Sequence, residues 1–249
     1  MIQAITRLPG PLDRAELTHI DRVPIDIARA VAQHAAYRAA LERAGARVTV
    51  LPALADYPDS CFVEDVAVIL PELVIRTRPG AVSRQGEVAA IAPHLPGDRP
   101  QVTIAAPGTI DGGDVMVVGR DIFIGLTLRT NAAAVAQVGD AVAPHGYRVT
   151  GVPLADALHL KTAVSALADD LVLVNTDWID PAVFGRRHIA SAPGEPFAGN
   201  SLTVGGTVFH ATGAGTLAQI AAAGFAVEFL DISEFGKCEA GLTCLSLVY

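Results

Sequence analysis

The chain has 249 residues, of which 51% are hydrophobic and 18% are charged, so it can bury a large core and leaves little room for disordered tails. We therefore expect a single domain over residues 1–249. A formal net charge of −8 and the lack of a Lys/Arg cluster disfavour nucleic acid as a partner and suit a small cationic ligand.

A unit of predicted structure repeats along the chain: two strands joined by a tight turn, then a helix, then a third strand. In chain order the predicted elements are the strand IQAITRL, the helix 28–44 and the strand ARVTVL; then EDVAVIL (64–70), LVIRT (73–77), a helix near 84–94 and QVTIA; then GGDVMVV, DIFIGL, a helix near 131–144 and YRVTGV; then AVSALA and LVLVN, where the repeat is less clear; and finally SLTVGG, TVFHA, a helix near 215–223, AVEFLDI and TCLSLVY.

The two ends of the chain together supply a fifth copy of this unit, because TCLSLVY lacks the partner elements that the N-terminal segment provides. The predicted fold is therefore α/β: a five-bladed α/β propeller of ββαβ repeats with pseudo-five-fold symmetry, closed by pairing of the N- and C-terminal segments. An ordinary open α/β sheet is the more frequent architecture, but the repeat favours the ring.

Polar residues stand at the same place in each unit, just before its first strand. They are Glu64 and Asp65, Asp111 and Asp114, His159 with Lys161, Asn200, and Cys244. If the five units surround an axis, these residues converge and place a thiol, an imidazole and several carboxylates together. Such a set could carry out nucleophilic catalysis on a cationic carbon centre.

Each of these residues also has an ordinary structural interpretation. Cys244 could fill space in an apolar strand, and His159 could brace a loop. Asp111 precedes two glycines, which is turn chemistry whatever the function. Their common position in the repeat favours the functional interpretation.

Two other kinds of site can be read from the sequence. Gly213, Gly215 and Ala218 form a G-x-G-x-x-A pattern typical of dinucleotide binding, with Asp231 at the end of the next strand. Too few residues follow Asp231 to complete such a sheet. A zinc site built from Cys244, His159 and Asp111 is also open, although no two of them have short zinc-type spacing. We expect neither a metal nor an organic cofactor.

The three cysteines (Cys61, Cys238 and Cys244) are too few for a disulfide framework, and we expect free thiols. The first ten residues lack the basic flank and apolar stretch of a secretion signal. No apolar run approaches the roughly 20 residues of a membrane helix. These features predict a cytoplasmic protein without membrane contact.

Six segments resemble the dimethylarginine dimethylaminohydrolases, which are guanidine-modifying enzymes of the pentein superfamily. The segments are PDSCFVEDVAV (58–68), TRPGAVSR (77–84), IDGGDV (110–115), GLTLRTN (125–131), LHLKT (158–162) and GLTC (241–244). They occur in the family's order and span most of the chain. The resemblance implies the five-fold pseudo-symmetric α/β propeller.

The resemblance also implies the roles of individual residues. Cys244 would be the nucleophile, His159 the proton shuttle and Asp111 the carboxylate that supports His159. Seven substrate-binding residues follow in the same way: Asp65 with Glu64 beside it for the guanidinium, Asp59 for the α-ammonium, Arg84 and Arg129 for the α-carboxylate, Leu17 in a mobile lid, and Cys238 through its backbone carbonyl.

The predicted reaction converts asymmetric dimethylarginine or monomethylarginine to citrulline and dimethylamine or methylamine through a covalent S-alkylthiouronium on Cys244. One alternative is another guanidine hydrolase of the superfamily, such as an arginine deiminase, although these usually carry an added helical domain that 249 residues cannot hold. A second alternative is a non-catalytic ring that binds a small cation or a protein. The expected partner is a small guanidinium compound, and a homodimer is left open.

Overall fold

The computed structural model describes residues 1–154 and 157–249, whose strands form five sheets of three strands each. In chain order the helices and strands are β1 (Gln3–Arg7), α1 (Ile27–Arg43), β2 (Arg47–Leu51), β3 (Ala67–Ile69), β4 (Val74–Arg76), α2 (Glu87–Ile91), β5 (Gln101–Thr103), β6 (Val115–Val118), β7 (Asp121–Leu126), α3 (Ala132–Val142), β8 (Arg148–Pro153), α4 (Leu160–Ala163), β9 (Val164–Ala168), β10 (Leu171–Val174), β11 (Arg187–Ala190), β12 (Ser201–Val204), β13 (Thr207–His210), α5 (Ala214–Ala222), β14 (Ala226–Phe229), α6 (Ser233–Gly236) and β15 (Leu247–Val248).

Every sheet has the same internal order. Two strands pair antiparallel, and a third strand pairs in parallel with the second of them, as in β3–β4–β5 and β6–β7–β8. A parallel pair needs a crossover connection, and a helix usually supplies it. In the sheet β9–β10–β11, the crossover from β10 to β11 holds only the 3-10 turn Pro181–Phe184. The Asp180 side chain accepts a hydrogen bond from Ala182 N at the start of this turn. This short turn explains why the repeat at AVSALA and LVLVN was less clear in the sequence and why β11 was not predicted.

The two ends of the chain meet in the sheet β15–β1–β2. Ala4 lies opposite Val248 and Ile5 opposite Leu247 in an antiparallel pair, while β1 and β2 run parallel. The five sheets are separate, and within residues 1–154 and 157–249 no closed sheet joins them. The fold is thus α/β with five small sheets. None of the helices in this described part is both long and apolar enough to cross a membrane.

The first strands β3, β6 and β15 begin later than predicted, whereas β12 begins at Ser201 as predicted. Residues 64–66 belong to the 3-10 turn Val63–Val66 and not to β3, and the turns Gly112–Asp114 and Thr243–Leu245 precede β6 and β15 in the same way. A Cβ on Gly112 would lie 2.0 Å from the carbonyl oxygen of Glu64, so glycine permits two of these turns to touch. The polar residues of the repeat lie in or beside such turns, which pack against each other.

Candidate active site

One small cavity brings together residues from several repeats and from the N-terminal segment. It is lined by Glu16, Asp59, Phe62, Asp65, Arg84, Arg129, Leu158, His159, Cys238, Glu239, Ala240 and Cys244. Seven of the ten site residues taken from the sequence are in this group. The described lining includes neither Leu17 nor Glu64, and Asp111 lies behind His159.

His159 stands between two carboxylates. Its Nε2 lies 3.0 Å from Asp111 Oδ2, and its Nδ1 lies 3.9 Å from Asp65 Oδ1. Asp111 is fully buried, and its second oxygen accepts a hydrogen bond of 2.9 Å from Gly80 N. Burial by itself would lower the pKa of His159, but Asp65 and Asp111 outweigh it and raise this pKa to about 9. The imidazole is therefore charged at neutral pH and can act as an acid.

Gly113 makes the approach of His159 and Asp65 possible. A Cβ at this position would lie 2.6 Å from His159 Nδ1 and 2.8 Å from Asp65 Oδ1. The backbone N–H of Gly113 also donates to Asp65 Oδ1 at 2.9 Å. The Asp-Gly-Gly sequence is therefore more than a turn, because its second glycine forms part of the wall around the imidazole.

Asp65 is held as an anion. Burial opposes its ionisation, but His159 and Arg84 outweigh burial and lower the pKa of Asp65 to about 2. Arg84 Nη1 donates to Asp65 Oδ2 at 2.5 Å, and its other donors reach the backbone carbonyls of Asp59 and Phe62 and the carboxylate of Glu87. A ligand carboxylate at Arg84 would have to compete with these acceptors.

Glu87 is a site residue that the sequence reasoning missed. It is buried and forms a salt bridge with Arg84 at 2.9 Å. Burial raises the pKa of Glu87 to about 6, against the influence of Arg84. The sequence feature that could have indicated Glu87 is its position three residues after Arg84, because side chains at this spacing meet in helical segments. Glu87 fixes the guanidinium that in turn holds Asp65.

Cys244 lies half-buried in the turn Thr243–Leu245 and faces the same cavity as His159 and Asp65. Burial raises the pKa of its thiol well above the usual range, and the negative charges of Glu64 and Asp65 add to this effect. The free enzyme therefore carries the thiol and not the thiolate. A cation bound in the cavity would shift this balance, because it offsets both carboxylates.

Glu64 lies on the other side of the packed turns, in a second cavity with Lys161 and Thr243. Its carboxylate pairs with Lys161 Nζ at 2.5 Å and accepts from Thr243 Oγ1 at 2.8 Å. Asn200 Nδ2 donates to the carbonyl of Lys161 and to Thr243 Oγ1 at 2.7 and 3.0 Å. This network connects four repeats directly behind the nucleophile, and Glu64 acts there on Cys244 through its charge.

The N-terminal segment packs against the cavity through its backbone. Glu16 N donates to the Asp59 carboxylate at 3.1 and 3.3 Å, and Arg129 Nη2 donates to Thr18 Oγ1 at 2.9 Å. Asp59 and Arg129, which the family resemblance assigns to substrate binding, therefore hold the N-terminal segment. Leu17 lies between these contacts and is itself half-buried.

Glu239 is a second residue that the sequence reasoning missed. Its carboxylate accepts hydrogen bonds from Thr18 N at 2.5 Å and His19 N at 2.7 Å. Its backbone has a φ of 59°, a left-handed conformation that is uncommon outside glycine and that the sequence does not announce. Glu239 therefore ties the N-terminal segment to the loop before Cys244.

The structure bears on the two other ligand sites considered from the sequence, the dinucleotide site and the zinc site. At the start of α5, the Glu195 carboxylate accepts from Gly215 N and Thr216 N, both at 2.9 Å, and so fills the place a pyrophosphate would need. Among the described residues, the groups close enough to share a metal ion are Asp65, Asp111 and His159, within 4.8 Å of one another. This set differs from the zinc ligands considered from the sequence, and two of its members, Asp65 and His159, line the cavity.

The fold is α/β with five small sheets, and one cavity in it is lined by a thiol, an imidazole and an ionised carboxylate. A second, buried carboxylate supports the imidazole from behind. This combination of groups is the one that a cysteine hydrolase needs for attack on a cationic carbon.

The family described as N,N dimethylarginine dimethylhydrolase, eukaryotic, matches residues 19–192. The chain is also similar to an N(G),N(G)-dimethylarginine dimethylaminohydrolase of Streptomyces coelicolor, with 38% identity over 98% of this chain and 96% of that protein. It is 36% identical to the enzyme of the same name from Pseudomonas aeruginosa, over 89% of each chain. The chain belongs to the dimethylarginine dimethylaminohydrolase family, as the sequence motifs predicted.

Solved structures agree with this assignment. A cysteine-to-serine form of the Pseudomonas aeruginosa enzyme complexed with citrulline has a TM-score of 0.92 and 34% identity, over 99% of this chain and 98% of that one. The N-terminal domain of a cyanobacterial arginine dihydrolase has a TM-score of 0.86 at 19% identity, over 100% and 98% of the two chains. The second likeness shows the shared fold alone.

Proposed function

We propose that this chain hydrolyses N-omega-methylated arginine to citrulline and methylamine or dimethylamine, with Cys244 as nucleophile and His159 as acid and base. The observation that carries the proposal is that Cys244, His159 and Asp65 line one cavity. In this cavity the pKa of Asp65 is lowered, whereas the pKa values of His159 and Cys244 are raised. The anionic Asp65 offers a partner for a guanidinium, while the protonated His159 can supply a proton to a leaving amine. No organic cofactor or metal ion is needed for these steps.

Substrate binding would exchange internal partners for substrate groups. Asp59 now accepts from Glu16 N, and an α-ammonium would take the place of this donor. Arg129 would turn from Thr18 to the α-carboxylate, with Arg84 contributing beside it. The N-terminal segment around Leu17 would open to admit substrate and close again, and the carbonyl of Cys238 would meet the substrate amine.

The chemistry then proceeds in two stages. The bound guanidinium lowers the pKa of Cys244, the thiol releases its proton to solvent because His159 is already protonated, and the thiolate adds to the guanidinium carbon. His159 protonates the departing amine nitrogen as the C–N bond breaks, which leaves the S-alkylthiouronium. Water next adds to that carbon and gives a proton to the neutral His159. The C–S bond then breaks while the hydroxyl proton of the adduct passes to the departing sulfur, which releases citrulline and restores the Cys244 thiol.

We further propose that the five sheets surround one axis as the blades of a closed propeller. Support comes from packing between first strands, namely β15 on β3, β6 on β9 and β9 on β12, and from the pairing of β1 with β15. A cytoplasmic location, a single domain over residues 1–249 and a homodimer stay predictions from the sequence. Fractionation of the source cells tests the first, limited proteolysis the second and sedimentation the third.

A substrate panel tests the proposed function. Purified chain is incubated with arginine, monomethylarginine, asymmetric dimethylarginine and agmatine, and citrulline and the released amine are quantified. We expect equimolar citrulline and dimethylamine from asymmetric dimethylarginine. Cys244→Ser should abolish this turnover, while Cys61→Ala, which changes a buried thiol outside the cavity, should keep it. Ammonia release from arginine alone would indicate a deiminase, and no product from any compound would refute the proposal.

A further inference from the structure

Asp114 is a fully buried carboxylate outside the residues that line the catalytic cavity. It ends the 3-10 turn Gly112–Asp114, three residues after Asp111. Its Oδ1 accepts from Leu160 N at 2.9 Å, and its Oδ2 accepts from Thr127 Oγ1 at 2.8 Å and Thr130 Oγ1 at 2.6 Å. All three donors are neutral, so this buried charge is stabilised by hydrogen bonds and not by a direct ion pair.

Each donor leads to a different residue of the site. Leu160 directly follows His159, so its N–H fixes the backbone that carries the imidazole. Thr130 Oγ1 accepts from Asp111 N at 3.2 Å, and this bond fixes the carboxylate that holds His159. Thr127 Oγ1 accepts from Arg129 N at 3.1 Å. One carboxylate thus connects the loops of Asp111, Arg129 and His159.

The surrounding backbone is shaped to admit this carboxylate. A Cβ on Gly125 would lie 2.6 Å from Asp114 Oδ1 and 3.0 Å from the Cβ of Leu160. Any side chain at this position of β7 would therefore push the Asp114–Leu160 contact apart. The negative charge also reaches the imidazole, because Asp114 contributes to the raised pKa of His159. Burial raises the pKa of Asp114 itself to about 6, which leaves it mostly ionised at neutral pH.

From this geometry we infer that Asp114 is a positioning residue for the reaction: it sets the relative placement of the proton shuttle, its supporting carboxylate and the Arg129 loop. The inference rests on the proposed function and adds a residue that does not touch substrate. Two separate effects follow from the two threonines. Loss of the Thr130 hydroxyl frees Asp111 and acts on kcat. Loss of the Thr127 hydroxyl frees Arg129 and acts mainly on KM, with a smaller effect on kcat because Thr127 Oγ1 also accepts from Thr130 N at 3.3 Å.

The test uses Thr130→Val, Thr127→Val and Asp114→Asn in the full chain. Thr216→Val is the matched control, because Thr216 is also fully buried and also donates to a carboxylate, Glu195, at 2.7 Å, but lies outside the cavity. We expect Thr130→Val to lower kcat about tenfold or more and Thr127→Val to raise KM about tenfold, as misplacement of catalytic and binding groups does. Thr216→Val should lower Tm without changing either constant, and Thr130→Ser should restore kcat.

A second measurement does not depend on turnover. NMR titration of the histidine rings, with His159 assigned by its absence in His159→Gln, should show a lower pKa for His159 in Asp114→Asn than in wild type. If wild type hydrolyses no methylated arginine, the proposed function fails while this titration still tests the role of Asp114. Unchanged kcat and KM in both threonine variants, or an unchanged His159 titration in Asp114→Asn, would overturn the inference. If Asp114→Asn does not fold, the threonine variants decide alone.

Discussion

Replacing Asp111 with Asn removes one charge beside the imidazole while keeping the size of the side chain. The two oxygens of Asp111 now serve two donors, His159 Nε2 at 3.0 Å and Gly80 N at 2.9 Å. Asparagine has a single side-chain oxygen, so its NH₂ group must face one of these donors. Either the imidazole loses its acceptor or the loop at Gly80 does.

The expected magnitude has two parts. Loss of a nearby opposite charge lowers a histidine pKa by roughly 1–3 units. From a starting value of about 9, the protonated fraction of His159 at pH 8 would fall from about nine-tenths to half or less. Loss of the orientation of His159 is the larger effect. A general acid and base that is misplaced or in the wrong tautomer lowers the rate by a factor of about 10²–10⁴. We expect kcat to fall by at least about a hundredfold.

The assay follows kcat with asymmetric dimethylarginine between pH 6 and 9, together with the NMR titration of His159. At pH 6 at least half of the imidazole stays charged in the variant even after a drop of about 3 units, so a loss much greater than about twofold at this pH reports on orientation. Asp140→Asn, which removes a carboxylate on α3 outside the cavity, is the control. A kcat within a few-fold of wild type across this range, with an unchanged His159 pKa, would refute the role given to Asp111.

Three further predictions follow from the site. Gly113→Ala should reduce kcat about a hundredfold and Tm as well, because its Cβ would lie 2.6 Å from His159 Nδ1, and wild-type values would contradict the packing. The contribution of His159 to the free energy of unfolding should be complete below pH 6.5 and fall by about 3 kcal/mol as the pH rises through 9, since folding raises the pKa of His159. His159→Gln should flatten this profile in chemical denaturation, and an unchanged slope would contradict it. Glu239→Gln should speed proteolytic cleavage near Thr18 and His19, because it weakens two hydrogen bonds to that segment, and equal rates would argue against the tie.

Much of the fold was predictable because its units repeat. The alternation of β-branched runs and helical stretches gave β7 and the helix α3 nearly to the residue. The strand β11 was missed because its crossover holds the turn Pro181–Phe184 in place of a helix with a readable apolar period. The strands β3, β6 and β15 were predicted too long at their starts because short helical turns with buried polar groups precede them.

The candidate site was predictable where position in the repeat or a family motif marked a residue. Those two signals placed Cys244, His159 and Asp65 at one cavity. They could not find Glu87 or Glu239, whose importance comes from burial beside Arg84 and from a left-handed backbone. Such features depend on tertiary packing, which a single sequence does not display.

The central claim is that Cys244 attacks the guanidinium carbon and carries the intermediate. Acid quenching of the chain during turnover of asymmetric dimethylarginine, followed by peptide mass spectrometry, tests this directly. With digestion after glutamate, which separates Cys238 from Cys244 at Glu239, the account predicts a thiouronium adduct on the peptide that contains Cys244 and none on the peptides of Cys61 or Cys238. Continued turnover in Cys244→Ser, or an adduct on a different cysteine, would contradict it.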